Sequence, residues 1–464
     1  MASHGLLLRS PAAALTAAAT LAALLTGGLM ASAPATGIGL VMALCYVPLV
    51  VLHLPLALAL WVALVFVEHL PAVSVGPNAA AILIALAWLG VLRNHAGDAA
   101  RVVGRHRRLA GAVASLLVWL TVSIAWAGDP GAAADDLWRW YMAALVLAVV
   151  ATTVRTADHV RLVAGAFIIG AVVSAAVGLV DQALHSSASA LESATHTEGR
   201  LQGGGGDPNY LAAGLVPAMA LAGGLAAATR APLARLALVA AIGFLALGLV
   251  ETESRGGLLA GLVTLAGAVL IYRGSRGRAL FAVATATVVA AAAFAASPGA
   301  WERVSSLDGG GNGRADLWQV AWRVSRDHPL GGIGLNNFRL ESGAYVREPG
   351  RLEHVELISE RPHVVHNAYL QLLAEEGVVG LILFLALALG CLAAAWQATR
   401  RFDLSCRHGL AAISRAVVLA IVGSLVASWF LSNATDKRLW ALLALGPALL
   451  AVATEPVGRH DCAR

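Results

Sequence analysis

The sequence predicts an all-α, polytopic membrane bundle of about 12–14 transmembrane helices. Three observations carry this. Of 464 residues, 59% are hydrophobic and only 13% charged, where a soluble chain carries roughly a quarter charged. Mean hydropathy is +0.76. Apolar runs of about 15–20 residues recur from end to end, each long enough to span roughly 30 Å of hydrocarbon as a helix. Outer-membrane strands would alternate polar and apolar over short segments, and these runs do not.

Taken in order, spans are expected at 11–30, 37–52, 54–70, 77–92, 109–127, 137–153, 160–180, 209–227, 233–250, 257–271, 279–296, 377–395, 413–431 and 438–453. The first run has one Arg before it and no convincing cleavage site, so it reads as a membrane helix and not a signal peptide. The pair across His53–Leu54–Pro55 also reads as one broken helix with a re-entrant piece, which lowers the count. The chain divides into an N-terminal multi-span region (1–180), central spans (181–296), a long loop (297–376) and C-terminal spans with a tail (377–464). Composition rich in Ala, Gly, Leu and Arg reads as a GC-rich coding bias and points to a bacterium. No exported loop holds two of Cys45, Cys391, Cys406 and Cys462, so no disulfide framework is expected.

Charge sets the orientation. Alternate loops hold Arg93, Arg101, Arg105, Arg107 and Arg108; then Arg155 and Arg161; Arg230 and Arg235; Arg273, Arg276 and Arg278; Arg400, Arg401 and Arg407. The positive-inside rule makes this set cytoplasmic, with both termini inside. The net charge of +5 is spread over short loops and is no nucleic-acid footprint. The long loop 297–376 then lies outside, yet carries many arginines. A basic external loop asks for an anionic partner.

Four polar stretches face that same side. In 313–338, Leu317, Ala321 and Val324 repeat at helical spacing, Trp318 and Trp322 flank them, and Arg314 stands at the positive end of the helix dipole. This is an interfacial amphipathic helix with solvated arginines, or an anion site. In ETESRGGLL (251–259), Arg255 snorkels beside Glu251 or Glu253, or turns into the bundle to hold a phosphate; Gly256 and Gly257 permit close approach. In GRLQGGGGDPNYLA (199–212), Asp207 and Pro208 read as a helix start, beside Arg200 and Asn209. In HVVHNAYLQLLAEEG (363–377), His363 and His366 would share a helix face, while Glu375 and Glu376 precede an apolar run. The spacing supplies no third metal ligand. His366 is an interfacial, hydrogen-bonded histidine or a neutral imidazole able to take a proton.

The stretches also occur in a familiar order: R-x-Q-G-x-x-x-D-P-N-x-x-A at 200–212, S-R-G-G at 254–257, G-R-x-x-x-W and H-P-L-x-G-I-G-x-x-x-F within 313–338, and H-N-x-x-L-x-x-x-x-E-x-G-x-x-G at 366–380. Over about 195–395 this resembles the O-antigen ligase and O-antigen polymerase superfamily. The resemblance implies a metal-independent, GT-C-type glycosyltransferase of the bacterial inner membrane, needing no cofactor. Its donor would be a glycan on undecaprenyl diphosphate; its acceptor would be the lipid A core (ligase) or another lipid-linked glycan (polymerase). It implies His366 as base and Arg255 and Arg314 on the diphosphate, with Arg200 beside them. Asn209, Asn367 and Glu376 are in support, Glu376 orienting His366 or capping local polar groups. A small-anion, bicarbonate-like transporter and an envelope scaffold are the competing classes.

Overall fold

The computed structural model describes residues 45–70, 76–94, 104, 107–185, 200–272, 313–347, 352, 355, 358, 360 and 363–454. The expected spans at 11–30 and 279–296 lie outside them. Among the described residues the chain is all helix with no strand: α1 (Leu54–Leu64), α2 (Gly76–Asn94), α3 (Arg107–Ser123), α4 (Pro130–Thr153), α5 (Ala157–His185), α6 (Pro208–Ala228), α7 (Pro232–Glu251), α8 (Arg255–Ile271), α9 (Arg314–Asp327), α10 (Phe338–Glu341), α11 (Ala368–Leu404), α12 (His408–Ala427) and α13 (Lys437–Ala453). Among the described residues, six helices are long and apolar enough to cross a membrane, and three shorter apolar helices accompany them. The chain is an all-α polytopic membrane protein.

At the first weak point, residues 45–52 are helical and the helix breaks at His53, whose φ of −141° is not helical. Proline at the start of α1 removes a backbone donor there and favours a fresh helix start over continuation.

The centre of the bundle is α6, α11, α12 and α13, with α4, α5, α7 and α8 packed around them. Lipid-like surroundings give no hydrophobic drive for helix association, so close backbone contact does the work. The glycines supply it. A Cβ on Gly224 would overlap Ala416 on α12, and one on Gly446 would overlap the Cys391 carbonyl on α11. The Ala- and Gly-rich composition thus has a packing role. Large apolar side chains such as Leu86, Val118, Leu184, Leu236 and Leu389 point outward, as a hydrocarbon solvent permits.

Among the described residues, the connections fall on two ends. One end holds Arg93, Arg107, Arg155, Arg161, Arg230, Arg235, Arg400 and Arg407; the four polar stretches gather at the other. There α9 lies over the start of α11. Leu317, Ala321 and Val324 are buried with Ile333, Phe338, Ile358, Val365 and Ala374 in a small core of their own. Trp318 docks through Nε1 on the Val365 carbonyl at 3.1 Å, while Trp322 stays 54% exposed.

The helix expected from 377 begins nine residues earlier, at Ala368. It breaks at Gly377 (φ 66°, ψ −171°) and continues to Leu404. The break frees backbone groups, and the segment after α9 takes them up. Ile333 N donates to Ala374 O (3.1 Å), Gly334 N to Glu375 O (2.8 Å), and Val378 N to Pro329 O (2.9 Å). Trp119 Nε1 donates to Glu376 O at 3.1 Å. The backbones approach so closely that a Cβ on Gly377 would overlap the Leu330 carbonyl. Gly377→Ala should therefore lower stability by at least about 1–3 kcal/mol, the range for a side chain forced into this glycine region. Gly343→Ala, in open space, should change little. Thermal unfolding of both variants in detergent checks this.

Candidate active site

Helix starts build the site. Asp207 caps α6, its Oδ1 accepting from Asn209 N (2.7 Å) and Tyr210 N (3.0 Å). Ser254 caps α8 by accepting from Gly257 N at 3.2 Å. Asn367 caps α11, accepting from Tyr369 N (3.0 Å) and Leu370 N (3.1 Å). Asp436 caps α13, accepting from Arg438 N at 2.8 Å. Gly313, at φ 76°, opens α9. Each such end carries about half a positive charge from aligned peptide dipoles.

Side-chain contacts draw these ends together. Ser254 Oγ donates to Asn209 Oδ1 at 2.8 Å, joining α8 to α6. Arg200 braces the same joint, with Nε on Thr252 O (3.0 Å) and Nη2 on Asn209 Oδ1 (3.3 Å). Gly256 and Gly257 do permit close approach, but what approaches is Phe430 and Ala212. Phe430 also meets Trp318 of α9, ring centres 6.5 Å apart. Tyr210 Oη donates to Ser432 O at 2.9 Å, and His366 N donates to Ser432 Oγ at 3.0 Å. The residues 428–436, between α12 and α13, are thus the common seat of the other elements.

Within this frame, Arg255 and Arg314 are each the first residue of a helix, α8 and α9. Arg255 is exposed and Arg314 half-buried. His366 does not lie on a helix face with His363, because the helix starts only after the Asn367 cap. It stands in the left-handed region, φ 54°, which costs a residue other than glycine about 1–2 kcal/mol. The two histidine rings are 6.5 Å apart. Glu376 turns away: Oε1 accepts from Ser123 Oγ on α3 at 2.8 Å. Of its two expected roles, the local polar contact is the one observed. Glu375 accepts from Phe338 N at 3.3 Å and from Gln371. Among the described residues, no three His, Cys, Asp or Glu side chains gather as metal ligands.

Electrostatics link the cluster. Burial, then the charge of Arg314, push the His366 imidazole down to about 4; Asp207 pulls the other way. Burial also lowers Arg314, again opposed by Asp207. His366 is therefore a neutral imidazole at neutral pH. The Asp207 charge, read from sequence only as a cap, faces both residues.

Beside the cluster opens a groove of about 600 Å³. Leu58, Trp61, Ile84, Met142 and Val146 form its apolar wall; Glu68, Asn78, Arg139, Asn433 and Lys437 form its polar mouth, and Ser432 and Tyr210 also line it. Lys437 Nζ meets Glu68 at 2.6 Å and Asn78 Oδ1 at 3.0 Å. The Asp436–Arg438 pair, 2.6 Å, floors the mouth. Burial raises the Asp436 carboxyl, but Arg438 outweighs it and holds it below its usual range. From Arg139 to Val149, both lining residues, α4 descends about 15 Å at 1.5 Å per residue. Sequence reasoning missed Tyr210, Ser432, Asp436 and Arg438. The signal was the polar run S-N-A-T-D-K-R (432–438) set between two apolar spans.

Residues 239–385 match the family described as O-antigen ligase, which supports the likeness of this stretch to the O-antigen ligase and polymerase superfamily. The match spans Arg255, Arg314, His366 and Glu376; Arg200 and Asn209 lie outside it and reach the site through Ser254. It supports a glycan-transferring function of ligase or polymerase type on lipid-linked substrates at a membrane. No curated protein matches the chain.

The imidazole makes the geometry testable. In a histidine NMR titration, the resonance lost in His366→Gln should move with a midpoint near 4, where an ordinary histidine gives about 6.5. Asp207→Asn keeps a capping side chain but removes the charge that raises His366, so the midpoint should fall further.

Proposed function

We propose that this chain, with its O-antigen ligase family domain, is an integral membrane glycosyltransferase that moves a glycan from undecaprenyl diphosphate to an acceptor hydroxyl. The observation that carries the reading is one cluster: a neutral His366 beside Arg314, at the meeting point of several helix N-termini. Arg255 and Arg314 bind the diphosphate, and Arg200 adds positive charge from its braced position. The acceptor oxygen attacks the anomeric carbon as the bond from that carbon to the diphosphate oxygen breaks. Negative charge grows on the leaving group, and preplaced cations and helix dipoles stabilise it without rearranging. His366 takes the acceptor's proton. Asn367 and Asn209 hold the frame through the cap of α11 and the α6–α8 joint. Diphosphate is already a good leaving group, so the scheme calls for no metal or cofactor.

The groove suits the hydrocarbon anchor of a lipid substrate, with Lys437 and Arg139 at headgroup level. The positive-inside pattern supports a site on the outer face of the bacterial cytoplasmic membrane, with both termini inside. We favour the ligase assignment, with the lipid A core as acceptor; the polymerase, acting in the same envelope pathway, would use this donor site unchanged. A transporter would hold its ionisable groups near the bilayer midplane; here they gather at one end.

A base held near 4 is weak, and the donor itself corrects this. Burial and then Arg314's charge depress the imidazole; a bound diphosphate neutralises the second and adds its own charge. The acid limb of kcat/KM, which reports the free enzyme, should therefore lie near 4, and that of kcat should lie higher.

Purified protein in liposomes, given lipid-diphosphate-linked glycan with EDTA present, should release undecaprenyl diphosphate when acceptor is added. His366→Ala should lower the rate about 10²–10⁴-fold, the usual range for a general base. Arg314→Ala and Arg255→Ala should raise the donor KM and slow the reaction. Wild-type rates in all three variants would refute the assignment.

A further inference from the structure

We propose that Ser432 is a positioning residue for His366: its hydroxyl fixes the His366 backbone, and Tyr210 fixes Ser432 in turn. This rests on His366 acting as the base. His366 precedes its helix, so the helix does not hold it. Val365 on one side is pinned by Trp318, and Asn367 on the other is committed to the cap. Between them, one residue in the left-handed region decides where the imidazole points. Its N–H has one acceptor, Ser432 Oγ at 3.0 Å.

Ser432 is itself held. Its carbonyl accepts from Tyr210 Oη at 2.9 Å. Two residues on, Ala434 O accepts from the buried Trp440 Nε1 at 2.7 Å, and Asp436 N returns to Asn433 O at 3.0 Å. On the other side Phe430 sits against Gly256. The support is rigid, and it also lines the groove. A hydroxyl there sets the imidazole relative to both the arginine cluster and anything lying in the groove.

Misplacing a reacting group by about 1 Å can slow a reaction about 100-fold. Ser432→Ala should thus lower kcat by about 10–100-fold, on the same geometric argument, with the donor KM near wild type. Ser432→Thr, which keeps the hydroxyl, should restore most of it, and Tyr210→Phe should fall between. A readout independent of turnover is the His366 NMR midpoint. In Ser432→Ala it should climb from about 4 toward the usual 6.5 as the ring leaves its buried seat. Unchanged kcat with an unchanged midpoint overturns the proposal; so does equal loss in the Ala and Thr variants, since the hydroxyl would then not matter. If wild type transfers no glycan while the midpoint still shifts, the seat of His366 stands and the transferase reading falls.

Discussion

The break at Gly377 is the constraint on which the outer end depends. A continuous helix would satisfy the carbonyls of Ala374 and Glu375 internally and offer nothing to the preceding loop. Gly377 instead releases them, and Ile333 and Gly334 donate to them while Val378 donates to Pro329. Buried backbone groups must be paired, so helix and loop complete each other. The H-P-L-x-G-I-G run is the loop's half of the bargain. Pro329 provides a carbonyl, Gly332 and Gly334 provide left-handed turns at φ 63° and 94°, and Ile333 fills the small core. The start of α11 is thereby held as part of the outer layer. This explains why so polar a head precedes a membrane helix: Glu375 and Glu376 bind Phe338 N and Ser123, locking the head to the loop and to α3.

With that layer fixed, the remaining problem is charge. On the proposed function, helix starts and Arg200, Arg255 and Arg314 would concentrate positive potential in one place. Asp207 is the resting counter-charge, opposing burial at Arg314 and at His366. Its short side chain also caps α6, so it does not swing away when an anion arrives. In the proposed mechanism, a fixed counter-charge would offset the cations until a diphosphate arrives.

The spans were legible because apolar length is a property of the sequence alone. Expected spans from 54–70 through 257–271 and from 413 onward correspond to helices with ends shifted by a few residues. The amphipathic helix was legible for the same reason: Leu317, Ala321 and Val324 are buried as their spacing predicts. Local reasoning failed at one overlooked cap and where a distant partner decides. Extending the helix back through His366 ignored Asn367, whose side chain stops it. The glycines after Arg255 read as permitting close approach by backbone or ligand, and close approach is found; that Phe430, 174 positions from Gly256, supplies it was not legible. Ser432 heads a legible polar run, 432–438, but nothing in that run assigns it a partner; only the fold sets its Oγ 3.0 Å from His366 N.

The residues 428–436 join two needs that pull apart. A lipid anchor requires an apolar groove reaching into the bilayer, and a diphosphate requires cations and dipoles at its surface. Mixing them would bury charge in hydrocarbon, which is expensive. On the proposed function the chain separates them, with the arginines on α8 and α9 and the groove between α1, α2, α4 and α13. It then spans the gap with one short braced segment. Asp436 and Arg438 neutralise each other at the groove side, and Ser432 Oγ accepts from the His366 backbone N–H. His366 is thus set at the boundary of both environments, where a substrate hydroxyl brought by its lipid anchor and a phosphate held by arginines would meet.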